Sequence, residues 1–354
     1  MLKEKITGML RKCLTALIMI ALIVGVGAVL IAITGAKPLD AFRLMFRAAF
    51  GSRNGLAEIG VKAAPLILAA LGVAVAFKTG FFNIGAEGQL YMGALAATTV
   101  TLCATGVPGF LRVILAVAAA FIVGGIWAFI PAVLKSAMGI SETINTIMFN
   151  YIALMIVGMA IRGPLQDTVD HQPQSMLLEA DSVFPIILPG TRLHLGFLIA
   201  LICAVLVWFL MSRTTAGFEM RLTGLNRRAV FCCGMPVVKS LIFSACLSGG
   251  LAGLAGMGEV LGVQHRLLEG ISGGNGYTAL LIALLAGNNP LRIVLFSLAL
   301  AALQVGANSM QRMMGVPSSI VSVLTGFIVL IVLSREIGDR IREYRHDRKA
   351  GQVV

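Results

Sequence analysis

Charged residues are scarce in this chain of 354 residues. Only 12% of them are Asp, Glu, Lys or Arg, against about 25% in an ordinary soluble domain, and 58% are apolar. Ten stretches contain no charged residue at all: 13–36, 63–77, 88–111, 113–134, 143–161, 193–212, 240–258, 270–291, 293–311 and 313–334. Nine exceed the roughly 18 residues that a helix needs to cross a bilayer, and 63–77 does so if Ile59 and Gly60 are included. Because a backbone in lipid must satisfy its own hydrogen bonds, we expect an all-α polytopic membrane protein with about ten transmembrane helices in one domain, 1–354.

The chain also lacks the motifs of common nucleotide, metal and thiol sites. It contains no Gly-Lys dipeptide, and therefore no Walker A loop, no Cys-x-x-Cys and no His-Glu-x-x-His. The six cysteines do not suggest a disulfide framework, since four lie in or beside apolar stretches and Cys232 and Cys233 are neighbours. No nucleophile with a base and no pair of acids stands out. The sequence therefore predicts no catalytic residue, no metal site and no cofactor in this chain.

The positions of the basic residues predict the orientation. Four basic residues within 1–12 precede an apolar run that is too long for a secretory signal peptide, which favours a retained first helix. With ten crossings and a cytoplasmic start, most of the 28 Lys and Arg residues fall on the cytoplasmic side, as the positive-inside rule requires. We therefore expect a multi-pass protein of the cell (plasma) membrane with 1–12 and 335–354 in the cytoplasm. The net charge of +12 then has a membrane explanation and needs no nucleic acid.

Three segments outside the apolar stretches have a character of their own. Residues 39–50, LDAFRLMFRAAF, place phenylalanines at helical spacing beside arginines, which predicts an amphipathic helix in the membrane interface. Residues 162–192 hold four acidic residues and four prolines and are predicted to form an extracytoplasmic loop, either a partner surface or a connector. Residues 213–239 are predicted to form a cytoplasmic loop that three glycines punctuate and that contains a short helix from Leu225 to Cys233.

The stretch 77–97, FKTGFFNIGAEGQLYMGALAA, carries groups that are costly in lipid. In a helix, Asn83, Glu87 and Tyr91 would share one face. A charged side chain at the bilayer centre costs about 2.5 to 3.5 kcal/mol on insertion scales, so such a group should face the bundle interior or a wet cavity. Two interpretations stay open. In one, Asn83, Glu87 and Gln89 line or gate a translocation path, with Tyr91 on the same face; in the other, Glu87 caps a helix start near the cytoplasmic surface.

A second glycine-rich stretch, 270–290, reads GISGGNGYTALLIALLAGNNP. Like the first, it places glycines before an apolar helix, and its Asn275 is a further candidate for the path. The similarity suggests a distant internal repeat, as many transporters have.

Amide side chains on two other apolar segments are also candidates for the path. Gln304 and Asn308 lie at i and i+4 on one face of a predicted helix. They could bond the hydroxyls of a ligand, or they could hold helices together. Asn145 shares this ambiguity, and capping of its helix by Ser141 is the plainer explanation for that segment.

Residues 248–262, SGGLAGLAGMGEVLG, carry small residues at four-residue spacing. Gly249-x-x-x-Gly253 and Gly258-x-x-x-Gly262 let two backbones approach closely. This pattern predicts a helix in the core or at a subunit interface.

Four motifs together resemble the permease subunit of ABC importers of the ribose and nucleoside type, in the branched-chain amino acid and ribose permease superfamily. They are GFFNIGAEGQLYMGALAA, ISETINTIMFNYIA, TTAGFEMRLTGLNRRAVFCCGM and GNGYTALLIALLAGNNPL. They occur in the family's order within a resemblance that runs from about residue 40 to 335, and the first motif is most similar to the nucleoside branch. The resemblance implies a path for a nucleoside or simple sugar, a second permease subunit, identical or paralogous, cytoplasmic ABC ATPase subunits that bind the ATP, and an external substrate-binding lipoprotein.

The resemblance also implies that loop 213–239 couples the permease to the ATPase. The matching positions are Gly217, Gly224, Asn226, Ala229 and Gly234. This chain departs from the family beside Ala229, where it has Arg228 and Val230 and the family usually has a second small residue.

A secondary transporter or a channel for a small polar solute remains the alternative. An ion-coupled transporter would place acids in the middle of its spans, and the central parts of all ten stretches lack them. A channel would satisfy that observation but would not require a coupling loop.

Overall fold

The computed structural model describes residues 22, 24–168, 172–317, 319, 320, 323, 326 and 327. They form helices joined by turns and three isolated β-bridges, with no β-strand in this part of the chain, which confirms the all-α fold class. Twelve α-helices lie within the described residues: α1 (Val24–Ile33), α2 (Pro38–Phe50), α3 (Arg53–Lys78), α4 (Ala86–Cys103), α5 (Gly109–Met138), α6 (Glu142–Arg162), α7 (Leu195–Arg213), α8 (Thr215–Leu225), α9 (Arg227–Cys232), α10 (Val237–Glu259), α11 (Asn275–Leu285) and α12 (Pro290–Met314). A π turn, Val260–Gln264, extends α10.

Six of these helices are long and apolar enough to cross a membrane: α3, α5, α6, α7, α10 with its π turn, and α12. The bent pair α1 and α2, whose axes meet at 113°, would make a seventh. The stretch 270–291 forms only the 11-residue helix α11 after a run of turns, about 16 Å of helix, which is too short to cross the hydrocarbon. The predicted termini 1–12 and 335–354 and most of 313–334 lie outside the described residues. The number of ten spans therefore stays a prediction.

The described residues fall into two compact units, of which the first comprises the described residues of 1–55 and 302–354. Its core joins Ile31 of α1 and Met45 of α2 to Met310 of α12. Helix α2 has the predicted amphipathic character, since Ala41, Met45 and Ala49 are buried while Phe46 and Phe50 are exposed. Its position in the membrane interface stays a prediction.

The second unit, 56–301, is organised around α10, which packs against α4 and α5. A Cβ at Gly249 would lie 2.3 Å from the carbonyl oxygen of Gly124 on α5, and one at Gly256 would lie 2.0 Å from the carbonyl oxygen of Leu90 on α4. Helix backbones can approach this closely only where side chains are absent. The small-residue prediction is confirmed at Gly249 and Gly253, which both face α5, and it is wrong at Gly258, around which there is open space.

The loops that the sequence assigns to opposite sides of the membrane lie at opposite ends of the second unit. At one end, α8 meets the end of α3, since Gly224 packs against the carbonyl of Lys78. At the other end, residues 162–192 contact the chain that follows the π turn. Helix α10 connects the two ends. The grouping of the loops agrees with the predicted topology, and the side that faces the cytoplasm remains a prediction.

The described part of loop 162–192 folds back onto the second unit as a cap. Leu178 and Phe184 donate backbone hydrogen bonds of 2.9 Å to the carbonyls of His265 and Leu261. Arg112, buried in the first turn of α5, bonds Glu179 at 2.6 Å and Asp181 at 3.4 Å. Two of the acids that the sequence places on this loop therefore anchor it through a buried guanidinium, while their own side chains remain more than half exposed.

Candidate substrate path and coupling segment

The site begins where α3 and α4 are interrupted by residues 79–85. Gly80 has a φ of +77°, in the left-handed region that favours glycine, and ends α3. The backbone groups freed by the break find partners on α6. Asn150 donates from Nδ2 to the Ile84 carbonyl at 3.0 Å and accepts at Oδ1 from the Gly88 N–H at 2.8 Å, and the Thr146 hydroxyl accepts from the Ile84 N–H at 3.2 Å. Irregular backbone at membrane depth is tolerated only where it is satisfied in this way.

Asn83 and Gln89 form a buried amide pair inside this break. Asn83 Nδ2 donates to Gln89 Oε1 at 2.9 Å and to the Ser248 hydroxyl on α10 at 2.8 Å, and Gln89 Nε2 returns a bond to Asn83 Oδ1 at 3.0 Å. Neither side chain is exposed by more than 1%. The amides therefore fasten the start of α4 to the middle of α10. Because Asn83 precedes the helix, the predicted helical face of Asn83, Glu87 and Tyr91 is wrong at Asn83.

The Glu87 carboxylate lies at the N-terminus of α11. Its Oε2 accepts a 2.9 Å hydrogen bond from the Gly276 N–H, and Ser272, Gly274 and Tyr277 surround the same carboxylate. Free backbone N–H groups at a helix start stabilise a negative charge. Glu87 thus caps a helix start, as one interpretation of the sequence expects, and the helix is α11.

A second buried carboxylate flanks the same helix start. Glu259, the last residue of α10, is 7% exposed and accepts a 3.3 Å hydrogen bond from Asn275 Nδ2. Asn275 in turn is capped by the Ser272 hydroxyl, which accepts from its N–H at 3.2 Å. The sequence interpretation missed Glu259. The sequence did contain a signal: Glu259 comes directly after the charge-free stretch 240–258, and no basic residue stands beside it in the sequence.

Of the other residues that the sequence proposes for the path, only some lie at this site. Tyr91, 3% exposed, also faces the backbone of Ser272, so it joins Glu87 and Asn275 at the start of α11. Asn145 directly precedes Thr146 on α6, and its Nδ2 is buried without a partner among the described residues. Gln304 and Asn308 belong to the first unit, where both are half-buried. Asn150 and Thr146, which the sequence interpretation did not single out, satisfy the break.

The coupling segment is more helical than the sequence predicts. Gly217 and Gly224 lie inside α8 instead of separating helices. A Cβ at Gly217 would collide with the carbonyl oxygen of Leu210, and one at Gly224 would collide with the carbonyl oxygen of Lys78. The predicted helix from Leu225 to Cys233 is present as α9, Arg227–Cys232.

Asn226 begins α9 by accepting the Ala229 N–H at Oδ1, at 3.1 Å. Gly234 ends the segment with a φ of +75° and open space around it. Ala229, Leu225 and Phe231 are exposed, whereas Val230 packs inward. Arg227 ties α9 to the break by donating to the Gly80 carbonyl. The segment therefore presents a small apolar surface that is fixed to the end of α3.

No group of three or more His, Cys, Asp or Glu side chains that could hold a metal ion occurs among the described residues. The expectation that this chain holds no cofactor of its own stays a prediction.

Helices that break around buried polar groups, several of them long enough to cross a membrane, define a multi-pass transport protein. The chain belongs to the family described as the permease component of branched-chain amino acid transport systems, which matches residues 55–333. This membership confirms the resemblance seen in the four sequence motifs.

Three curated relatives cover most of the chain. It is 37% identical to a guanosine ABC transporter permease protein of Bacillus subtilis over 89% of this chain and 92% of the relative. It is 34% identical to a glucose ABC transporter permease protein of Haloferax volcanii, over 90% and 86%, and 33% identical to a nucleoside ABC transporter permease protein of Lactococcus lactis, over 91% of each. No solved structure matches the chain.

Proposed function

We propose that this permease forms the translocation path of an ATP-driven importer for nucleosides. The observation that carries the proposal is the start of α11, held between the buried carboxylates of Glu87 and Glu259. When the helices separate, hydroxyl groups of a solute can donate to these carboxylates and accept from the freed N–H groups of α11. The contact is thus a closed gate whose bonds a polar solute replaces.

The choice of a nucleoside rests on the relatives. Two of the three are named as nucleoside or guanosine permeases, and the third is named as a glucose permease. A simple sugar is the second candidate, because it offers the same hydroxyl groups to the gate. It lacks the base, which is the part of a nucleoside that aromatic side chains would recognise.

Energy is supplied by separate cytoplasmic ABC ATPase subunits, which bind the ATP. The exposed surface of α9, with Leu225, Ala229 and Phe231, is the docking element for the ATPase. Arg227 of α9 donates to the carbonyl of Gly80, which lies at the beginning of the break before α4. Motion of α9 is transmitted to the gate through this bond. Coupling between distant sites needs such a packed element with two arrangements.

The remaining parts of the transporter follow from the proposed topology. Two permease subunits, identical or paralogous, enclose the path, with both termini in the cytoplasm. An external substrate-binding lipoprotein delivers the solute to the side that carries the folded cap, 162–192. The cap offers the exposed carboxylates of Glu179 and Asp181, held in place by Arg112, to that partner.

Reconstitution of the complete transporter tests the proposal. The permease, its ATPase and its lipoprotein would be co-expressed, purified and placed in vesicles, and uptake of radiolabelled guanosine and glucose would be measured with and without ATP. We expect ATP-dependent guanosine uptake that the lipoprotein stimulates. Uptake of glucose alone would favour the sugar reading, and uptake without ATP or ATPase would favour a secondary transporter or a channel.

A further inference from the structure

The exposed face of α6 differs from the other exposed helix faces of the second unit. Apart from Arg213 at its end, the exposed large side chains of α7 are hydrocarbon or aromatic, as lipid contact requires: Leu198, Ile202, Val205, Leu206, Trp208 and Phe209. On α6, one face carries Met148, Tyr151, Met155 and Met159 and ends in Arg162. Methionine is soft and adaptable and is frequent at surfaces that bind varied partners. Both helices end in an exposed arginine, so the difference is the Tyr151 hydroxyl in the middle of α6 and the three methionines beside it, which indicate a surface that meets something other than lipid.

An open groove of about 580 Å³ lies along the half of this face that ends at Arg162, and Glu269, in the segment that leads to α11, borders it. Met155, Met159 and the ion pair of Arg162 with Glu269 line it. The volume lies within the range of ligand pockets, about 300 to 1,000 Å³. The groove therefore has room for a small solute and a charged pair at its outer rim.

Tyr151 lies about one turn along α6 from Met155, which lines the groove. From Arg162 to Tyr151 is eleven residues of helix, about 16 Å, and Tyr277 of α11 meets α6 at Asn150, the residue before Tyr151. Tyr277 is 44% exposed, its hydroxyl lies 3.4 Å from Asn150 Nδ2, and its backbone faces the Glu87 carboxylate. Two half-exposed tyrosines thus lie beside the buried site, on the same helix face as the groove in the case of Tyr151.

We infer that Tyr151 and Tyr277, with Met155 above them, form the wall of the path that recognises the planar base of a nucleoside by stacking. Aromatic rings accept any base on their faces, and methionine sulfur makes favourable contacts with aromatic edges. The sugar hydroxyls then lie toward Glu87, as the proposed function requires, and the inference rests on that function. The face is open on one side in this chain, so the second permease subunit closes it.

The test uses the reconstituted complete transporter and compares two variants at one exposed position. Tyr151→Leu removes the ring and keeps an apolar side chain, whereas Tyr151→Phe keeps the ring and removes only the hydroxyl. We expect Tyr151→Leu to lower the initial rate of guanosine uptake at least about fivefold, the smaller end of what one base stack contributes. Tyr151→Phe should stay within about twofold of the parent. Phe209→Leu, on the lipid-type face of α7, should leave uptake unchanged.

A lipid-facing role for Tyr151 predicts a different pattern. Equal uptake by the parent and Tyr151→Leu, or an equal loss in Tyr151→Leu and Tyr151→Phe, would overturn the stacking wall. Because the parent complex is measured first, failure of the parent to take up any guanosine would instead refute the nucleoside function itself, and the wall with it.

Photolabelling gives an independent reading. A photoreactive azidopurine nucleoside, applied to the complex, should label peptides that contain Tyr151 or Tyr277, and excess guanosine but not ribose should prevent the labelling. Protection by ribose to the same degree, or labelling confined to α7, would contradict recognition of the base at this wall.

Discussion

Glu87 shows how one side chain can hold two helices in register. Its carboxylate accepts the Gly276 N–H, and the absence of a side chain at Gly276 permits the contact, because a Cβ there would lie 2.5 Å from the Glu87 Cα. The groups that bond this carboxylate include N–H groups at the start of α11, where a negative charge is favourable. Removing the charge while keeping the shape therefore isolates the electrostatic part of the gate.

Glu87→Gln should reduce nucleoside uptake by about twofold to thirtyfold, since a charge at a helix start contributes about 0.5 to 2 kcal/mol. An amide oxygen can still accept the Gly276 N–H, so we expect unchanged assembly with the ATPase. The matched control is Glu58→Gln, which removes a partly exposed carboxylate whose ion pair with Arg192 is long, at 3.6 Å. Parent-like uptake by the Glu87→Gln transporter would reduce Glu87 to a replaceable helix-end residue.

At the scale of the element, the glycines of α10 differ in whether they contact a neighbouring helix. Gly256 and Gly258 are two residues apart on one helix, yet a Cβ at Gly256 meets the Leu90 carbonyl and a Cβ at Gly258 meets nothing within 4 Å. A carbonyl oxygen of a packed helix cannot move aside as a flexible side chain can. The two positions therefore form a natural pair for testing the packing.

Gly256→Ala should lower the stability of the purified permease by about 1 to 3 kcal/mol, as overpacking does. Gly258→Ala should match the parent or exceed it slightly, because alanine favours the helix. The measurement is the midpoint of thermal unfolding in detergent, followed by size-exclusion chromatography. Similar midpoints for the two variants would mean that α4 and α10 are not packed as closely as described.

Helix α9 is the second element whose surface makes a prediction. Its exposed Ala229 lies between the exposed Arg228 and the buried Val230, so an arginine there would project from the docking surface without disturbing the fold. We expect Ala229→Arg to uncouple ATP hydrolysis from uptake, while loaded lipoprotein still binds. Stimulation of ATPase activity by the loaded lipoprotein in vesicles measures this.

Thr105→Arg serves as the control for that variant, since it adds the same charge to an exposed turn between α4 and α5, at the other end of the unit. It should couple like the parent. Full stimulation and full uptake in the Ala229→Arg transporter would show that the contact with the ATPase lies elsewhere.

For the whole molecule, the open question is which end of the second unit faces the cytoplasm. Gln172, in the cap, and Asn226, before α9, are both exposed and lie at opposite ends. In a variant without native cysteines, Gln172→Cys should react with an impermeant thiol reagent in intact cells, and Asn226→Cys should react only after the cells are opened. The reverse pattern of labelling would invert the topology and place the coupling surface outside.

Sequence alone determined the class of the protein and much of its layout. Uncharged stretches long enough to cross lipid allow only helices, and the four motifs identified the permease family that residues 55–333 confirm. The pattern also located the short helix α9 and the close approach at Gly249 and Gly253.

Tertiary structure decided what the polar side chains do. Whether Asn83 faces a solute or a helix depends on Ser248, 165 residues away, and the partner of Glu87 is an N–H 189 residues away. No local pattern encodes such pairs, because a buried polar group is defined by whatever the fold brings to it. For the same reason Glu259 and Asn150 escaped notice, and 270–291 gave a short helix where its hydrophobicity predicted a span.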